Sequence, residues 1–309
     1  MDASDSTGPV ATRGRSPEIF RAGPERASDT EIIMTSPTHA IAVLFREGLP
    51  LESLHGMLRG VQGLGDIAPA RDHVRVDTDA GVVFASTYGA PWPDDDEESL
   101  AELGGPAAGL FPAALARAGA QDALWPGGEL AARAHQGFVH LVMAEATGGP
   151  LARIEALERL GVALLSHPDA LCVFFPAGES LRDGNIIGKI RAVSAEQEAL
   201  PIQIWVNGRL ADAGMGTRIA DLVGLAQIGL SDCEAVIPEG QRLAPFEVLG
   251  FLLDVTHHLA SQGGALEDGV IYDGPGGLRW RAGLDADAQI DPPRKVVRWI
   301  PLSPEEAAS

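Results

Sequence analysis

Two acidic residues spaced two apart, Asp232 and Glu234, are the part of the sequence whose types and spacing could support chemistry. On a β-strand, side chains two apart point to the same face, so the two carboxylates would lie together. With Asp268 and His140 they could form a site for a hard cation or for acid–base catalysis, because carboxylates bind such cations and histidine transfers protons. The alternative interpretation is a polar strand end and an ordinary Asp-Gly turn.

Other patterns that could carry catalysis are incomplete in this chain. His135 and His140 lie five apart, so on a regular strand they point to opposite faces and share no metal ion unless a bulge intervenes. The loop at 178–190 holds a Gly-Lys pair, but Ile190 stands where a phosphate-binding loop requires Ser or Thr. No Gly-x-Ser-x-Gly elbow occurs. The sequence therefore leaves catalytic residues and metal ligands undetermined, and it predicts no cofactor.

The two cysteines, Cys172 and Cys233, stand in apolar or mixed contexts without a cysteine nearby. This spacing favours buried thiols in a reducing compartment over a disulfide framework or a structural zinc site.

The charge of the chain limits its partners. Among 309 residues, 43 are acidic and 23 are basic, which gives a formal net charge of −20. Such a field repels phosphate backbones and disfavours nucleic acid, whereas it favours a basic protein partner. The sequence contains no uninterrupted apolar stretch of the roughly 18 residues that a membrane helix requires, and residues 1–16 lack the apolar segment of a signal peptide. We expect a cytoplasmic protein of bacterial type, and the oligomeric state is left open.

Apolar periodicity predicts strands and helices in an irregular alternation. The predicted strands are 41–45, 74–77, 82–85, 137–144, 171–175, 201–206, the strand-like segment 219–236, 270–272, and an edge strand at 294–300. The predicted helices are 51–61, 110–115, 151–164 and 246–260. Asn207-Gly208 is predicted to form a two-residue hairpin turn. Because hairpins accompany the crossovers, we predict an α+β fold with a mixed, largely antiparallel sheet covered by helices.

The chain divides on composition into four segments. Residues 1–36 are predicted to form a disordered extension. Two intimately joined αβ halves are predicted at 37–128 and 129–275, and a C-terminal extension is predicted at 276–309. Met34, directly before the first strand, is a candidate start of translation.

An ordered series of motifs in the chain matches a known pattern. The series comprises the segments 135–140, 170–175, 200–206 and 224–234 and the Asp268-Gly269 turn, preceded by the Pro/Trp elements at 88–93 and 124–126. In this order the motifs resemble the bacterial domain-of-unknown-function family DUF4261 over residues 38–275. Where the family has Thr-Gly-Leu and Glu-Leu-Glu runs, this chain has Val-Gly-Leu at 223–225 and Asp-Cys-Glu at 232–234. The resemblance implies a fold and no established chemistry.

Taken together, these features predict a non-catalytic binding or interaction protein with an acidic surface. The alternative is a carboxylate-dependent hydrolase, assisted by a divalent metal ion, built around Asp232, Glu234 and Asp268.

Overall fold

A computed structural model describes residues 39–92, 116–118, 124–125, 127–241, 243–262 and 266–307. Ser36–Ser309 form one compact unit. The predictions for residues 1–36, for the start at Met34 and for a helix at 110–115 lie outside the described residues.

Strands and helices follow one another in an irregular order, as expected from the sequence. The strands are β1 (Ala40–Phe45), β2 (Ile67–Pro69), β3 (His73–Thr78), β4 (Gly81–Tyr88), β5 (Gly137–Ala146), β6 (Ala170–Phe175), β7 (Ser180–Arg182), β8 (Asn207–Gly214), β9 (Thr217–Val223), β10 (Cys233–Ile237), β11 (Ile271–Asp273), β12 (Arg279–Asp287) and β13 (Lys295–Pro301). The helices are α1 (Leu51–Arg59), α2 (Gly128–Arg133), α3 (Pro150–Leu164), α4 (Gly184–Glu196), α5 (Ile202–Trp205), α6 (Pro245–Gln262) and α7 (Pro304–Ala307). The predicted α+β class is confirmed, with two largely antiparallel sheets.

The first sheet has the order β2-β3-β4-β5-β1-β6-β7, and all its neighbours are antiparallel. Strand β1 lies in the interior of this sheet and is buried at every residue because both faces are covered. One face packs Ile41, Val43 and Phe45 with the apolar stripes of α1 and α3, and the other packs Leu44 with Phe174. The continuous apolar run of β1 is thus explained by coverage on both sides.

The second sheet has the order β11-β12-β13-β10-β9-β8. Its neighbours are antiparallel except β10 and β13, which run parallel. Helix α6 covers one face, where Phe251 packs against the buried rings of Trp280 and Trp299. The opposite face carries charged side chains.

The predicted strand at 201–206 and the predicted turn at Asn207-Gly208 are wrong. Residues Ile202–Trp205 form the single helical turn α5, and Asn207 and Gly208 lie inside β8. A short apolar run fits either a buried helix or a strand, and tertiary packing decides between them. The Asn207 side chain is buried and donates to the carbonyl of Glu179. The hairpin turns instead at residues 214–216, where Met215 and both flanking glycines have positive φ.

Two further strand predictions need correction. The segment 219–236 contains two strands, β9 and β10, separated by a 3-10 turn at Leu225–Ile228 with glycines in the left-handed region on either side. The predicted strand at 294–300 exists as β13, but it is interior rather than an edge, because it pairs with both β10 and β12.

The strands divide between the sheets at one place in the chain. Sheet 1 uses strands between residues 40 and 182, and sheet 2 uses strands between residues 207 and 301. The boundary predicted between residues 128 and 129 falls within the span that builds sheet 1. In the ranges that the structure describes, no helix combines the length and the apolar character needed to cross a bilayer.

Candidate functional site

A row of four charged side chains crosses the second sheet on the face opposite α6. Arg209 of β8 stands opposite Asp221 of β9, which stands opposite Glu234 of β10, which stands opposite Arg298 of β13. Residues that are directly opposite on neighbouring strands point to the same face. The row therefore has two adjacent carboxylates at its centre and one guanidinium group at each end.

The row continues into the first sheet through Glu179, which follows β6. Arg209 donates through Nη1 to Glu179 Oε2 at 2.9 Å and through Nε to Asp221 Oδ2 at 2.9 Å. Arg117 donates through Nε to Glu179 Oε1 at 2.8 Å. Arg209, Asp221 and Glu179 are all buried, so the cluster joins the two sheets by charge-assisted hydrogen bonds.

Asp232, one of the predicted site residues, is held by backbone and guanidinium donors. Its Oδ1 accepts from the N–H groups of Gly224 at 2.8 Å and Leu225 at 2.7 Å, and its Oδ2 accepts from Arg294 Nε at 2.7 Å. Gly224 is required here, because its φ is 103° and a Cβ would lie 2.3 Å from the Cα of Gly178. The two motifs singled out in the sequence, at 223–225 and 232–234, are thus joined directly.

Glu234 fixes the loop that leads into β13. Its Oε1 accepts from the backbone N–H of Gln289 at 2.8 Å and of Ile290 at 3.2 Å, and its Oε2 accepts from Arg298 Nη2 at 3.1 Å. Arg294, in the same loop, donates through Nη2 to Asp221 Oδ1 at 2.5 Å. Asp232 and Glu234 both contact this loop, but each carboxylate has its own partners.

Burial and pairing act in opposite directions on these groups. Burial raises the pKa of Asp221 to about 6, against the lowering effect of Arg209 and Arg294. Burial likewise raises the pKa of Asp232. For Arg294, burial alone would lower the pKa, but Asp221 and Asp232 outweigh it and raise the pKa. The guanidinium groups beside Asp221 and Asp232 favour the ionised carboxylates and so oppose the effect of burial.

Asp268 lies apart from this cluster, in an exposed turn before β11. Its Oδ1 accepts from the backbone N–H of Leu284 at 2.9 Å. Leu284 and Asp285 form a bulge in β12, where the register with β13 shifts between Gly283 and Ala286. A bulge leaves backbone groups without a ladder partner, and Asp268 supplies one.

His140 lies on the first sheet, in β5, and its ring meets that of Trp92 edge-on at 5.8 Å between centroids. Burial lowers its pKa to about 4, so it is neutral at physiological pH. His135 precedes β5 and is buried, where its Nε2 accepts from the backbone N–H of Trp92 at 2.9 Å and its Nδ1 hydrogen-bonds Ala132 O. Both histidines therefore pack with the apolar side chains on the Leu44 face of sheet 1.

The four predicted site residues do not share one set of contacts. Asp232 and Glu234 belong to the ion-pair cluster, Asp268 to a surface turn and His140 to the other sheet. Within the part of the chain that the structure describes, no three His, Cys, Asp or Glu side chains are grouped so that they could hold a metal ion.

A cleft of about 230 Å³ opens on the other face of the second sheet, beneath α6. The sheet contributes Cys233, Val297 and Trp299, and the helix contributes Val255 and Leu259. Burial raises the pKa of the Cys233 thiol well above its ordinary range, so the sulfur is a neutral part of the floor. Both cysteines are free and buried, as predicted.

Comparison with models of known protein families gives a match in the C-terminal part of the chain. Residues 221–300 match the model of the family described as Domain of unknown function (DUF4261). The predicted resemblance is confirmed for this stretch, which reaches beyond residue 275 and does not extend back to residue 38. The DUF4261 stretch contains Asp232, Glu234 and Arg294 and the cleft beneath α6. Neither the search of curated proteins nor the search of solved structures found a match.

Sequence reasoning missed Glu179, Asp221 and the arginines of the cluster. The signal that could have found Asp221 is the hairpin register: with the turn placed at residues 214–216, Arg209 pairs with Asp221. The turn predicted at residues 207 and 208 hid this pairing. Arg294 carried no local signal, because it is 73 residues from Asp221 in the chain.

Proposed function

We propose that this chain is a non-catalytic binding protein of the bacterial cytoplasm that associates with a basic protein through its acidic exterior. The observation that carries the proposal is that carboxylates outnumber cationic side chains among the exposed residues that the structure describes. Four carboxylates of the buried cluster are matched by four guanidinium groups, so the cluster is neutral as a whole. The members are Glu179, Asp221, Asp232, Glu234, Arg117, Arg209, Arg294 and Arg298.

Other arginines are also used inside the fold. Arg182 is fully buried and donates to the backbone carbonyls of Gln203, Leu181 and Val206. Because the cluster is formally neutral, the excess of negative charge among the described residues is carried mainly by exposed side chains.

A concentrated negative exterior acts on partners over a distance. It accelerates the approach of cationic surfaces and disfavours anionic ones, and both effects weaken as salt screens them. The hydrolase alternative gains no support from the contacts of Asp232 and Glu234, because the oxygens of both are occupied by arginine and backbone donors.

The test is affinity capture from a bacterial lysate with the full chain immobilised, at about 0.1 M and about 1 M salt, between which the screening length falls from about 10 Å to about 3 Å. We expect a basic protein to be retained at the lower salt and released at the higher. Capture of no salt-sensitive protein, or of an acidic one, would contradict the proposal.

A matched pair of variants separates charge sign from surface perturbation. The first converts three exposed carboxylates to amides, Glu196→Gln, Glu247→Gln and Asp254→Asn. The second converts three exposed arginines to glutamine, Arg46→Gln, Arg59→Gln and Arg71→Gln. With the captured partner purified, calorimetry should show weaker binding for the first variant and equal or tighter binding for the second.

A further inference from the structure

The cleft beneath α6 is explained neither by the ion-pair cluster nor by the acidic exterior. It lies on the opposite face of the second sheet from the charged row, and its lining is mainly apolar. We propose that this cleft binds a small ligand that combines an apolar chain with a positively charged amine, that is, a primary alkylammonium ion.

The interior of the cleft fits the apolar chain. Val255 and Leu259 of the helix face Val297 and Trp299 of the sheet, and the Cys233 thiol between them is uncharged. Its volume of about 230 Å³ is below the range of about 300–1,000 Å³ that is typical of pockets for drug-sized molecules. The cleft therefore suits a short aliphatic chain rather than a large cofactor.

The mouth of the cleft fits the amine. Asp285 lines the cleft from the β12 bulge and has a φ of 54°, in the left-handed region that few residues other than glycine adopt. Bulges and strained residues concentrate at functional sites, where they direct a side chain. Within the described ranges Asp285 makes no ion pair, whereas Lys295, the cation at the mouth, is paired with Asp287 at 2.7 Å. The mouth thus offers a free carboxylate and no free cation among the described residues.

The first experiment measures binding of linear alkylammonium ions from ethyl to octyl, together with the alcohols and carboxylates of equal length. Burying one methylene is worth about a fourfold gain in affinity. We expect affinity to rise by about that factor per carbon until the cleft is full, and the ammonium to bind more tightly than the alcohol and the carboxylate. With methyl-labelled protein, the shifts should centre on Val255 and Leu259. Affinity that is independent of chain length, or shifts elsewhere, would overturn the proposal.

Variants test the mouth and the interior separately. Asp285→Asn removes the charge while keeping a residue that tolerates positive φ, and it should lower ammonium affinity about two- to fivefold, to the level of the alcohol. Asp273→Asn, an exposed carboxylate outside the cleft, should leave that affinity unchanged. Leu259→Trp should fill the cleft and abolish binding of all three ligand series. An equal loss for Asp285→Asn and Asp273→Asn would mean that only the overall charge attracts the amine, and the assignment of the mouth would fail.

This proposal stands independently of the basic protein partner. The dependence on chain length should persist at about 1 M salt, where attraction to the acidic exterior is screened. Loss of lysate capture with retained chain-length dependence would leave the cleft assignment intact, and the reverse result would leave the acidic-surface proposal intact.

Discussion

The two sheets of this chain bury their faces in different ways. Sheet 1 covers both faces of β1 with apolar side chains, and the half-buried His140 beside that core stays neutral. Sheet 2 covers one face with α6 and apolar side chains, but its other face carries Arg209, Asp221 and Glu234 with almost no solvent exposure.

The difference concerns what each arrangement requires of its neighbours. An apolar side chain needs only to be covered, and its contribution scales with the area removed from water. A buried charge needs a specific partner at hydrogen-bond distance, since a lone ion in the interior is strongly destabilising. In sheet 1 the loss of stability should therefore depend on the single residue that is replaced. On the charged face of sheet 2 it should depend on whether the partner of that residue is still present.

The largest expected effect comes from breaking one pair in sheet 2. Asp221→Leu alone leaves Arg209 and Arg294 facing an apolar group, and it should lower the free energy of unfolding by about 3–5 kcal/mol. Arg209→Met alone should cost a similar amount. The double variant keeps the Glu179–Arg117 and Arg294–Asp232 pairs, so it should cost less than the sum of the singles by about 0.5–3 kcal/mol. Denaturant unfolding of all four proteins measures this cycle.

The comparison requires a matched apolar deletion in sheet 1. Leu44→Ala, at a fully buried position of β1, should cost about 2–5 kcal/mol. That cost should be the same at pH 5 and pH 8, because no titratable group loses a partner. Strictly additive costs for Asp221→Leu and Arg209→Met would show that the row in sheet 2 is not a coupled unit.

An intermediate effect is expected on the pH dependence of stability. His140 titrates near pH 4 in the folded chain and near 6.5 when unfolded, so the unfolded chain binds the extra proton between these values. The contribution of this residue to the free energy of unfolding is fully present above pH 6.5. It is lost as the pH falls toward 4, by at most about 3 kcal/mol. Thermal unfolding across this range should show a shallower pH dependence for His140→Leu. The control, Leu44→Ala, removes no titratable group and should keep the wild-type dependence.

The smallest effect is expected at Asp268. Asp268→Ala removes the acceptor for the Leu284 N–H, a single exposed hydrogen bond, and should cost about 0.5–1.5 kcal/mol. Hydrogen exchange at Leu284 should become faster, whereas Asp273→Ala should leave it unchanged. A loss above about 3 kcal/mol for Asp268→Ala would place this carboxylate with the buried pairs and not with the surface.

Local patterns predicted the elements that depend on burial alone. The apolar runs of β1 and β6, the hairpin of β3 and β4, and the stripe of α3 are present as expected. They follow from periodicity because each residue needs only a covered face. The helical turn α5 could not be predicted, since three of its four residues are buried and Trp205 donates to Glu158, 47 residues away in the chain.

The candidate site was less predictable than the fold. The Asp232 and Glu234 alternation was visible in the sequence, but the arginines that hold these carboxylates lie about 60 residues away. Long-range pairing across strands depends on the order of strands in the sheet, which local patterns do not encode. The cleft was invisible for the same reason, because α6, β10 and β13 meet only after the second sheet has assembled.

The late position of β13 in the chain delays the completion of the second sheet during synthesis. Strand β13 lies between β10 and β12, so a growing polypeptide that has not passed residue 301 leaves both of these strands without their neighbour. Open strand edges recruit other chains, which makes this interval the one most exposed to aggregation on the ribosome. The strands of sheet 1 are all made by residue 182 and do not share this delay.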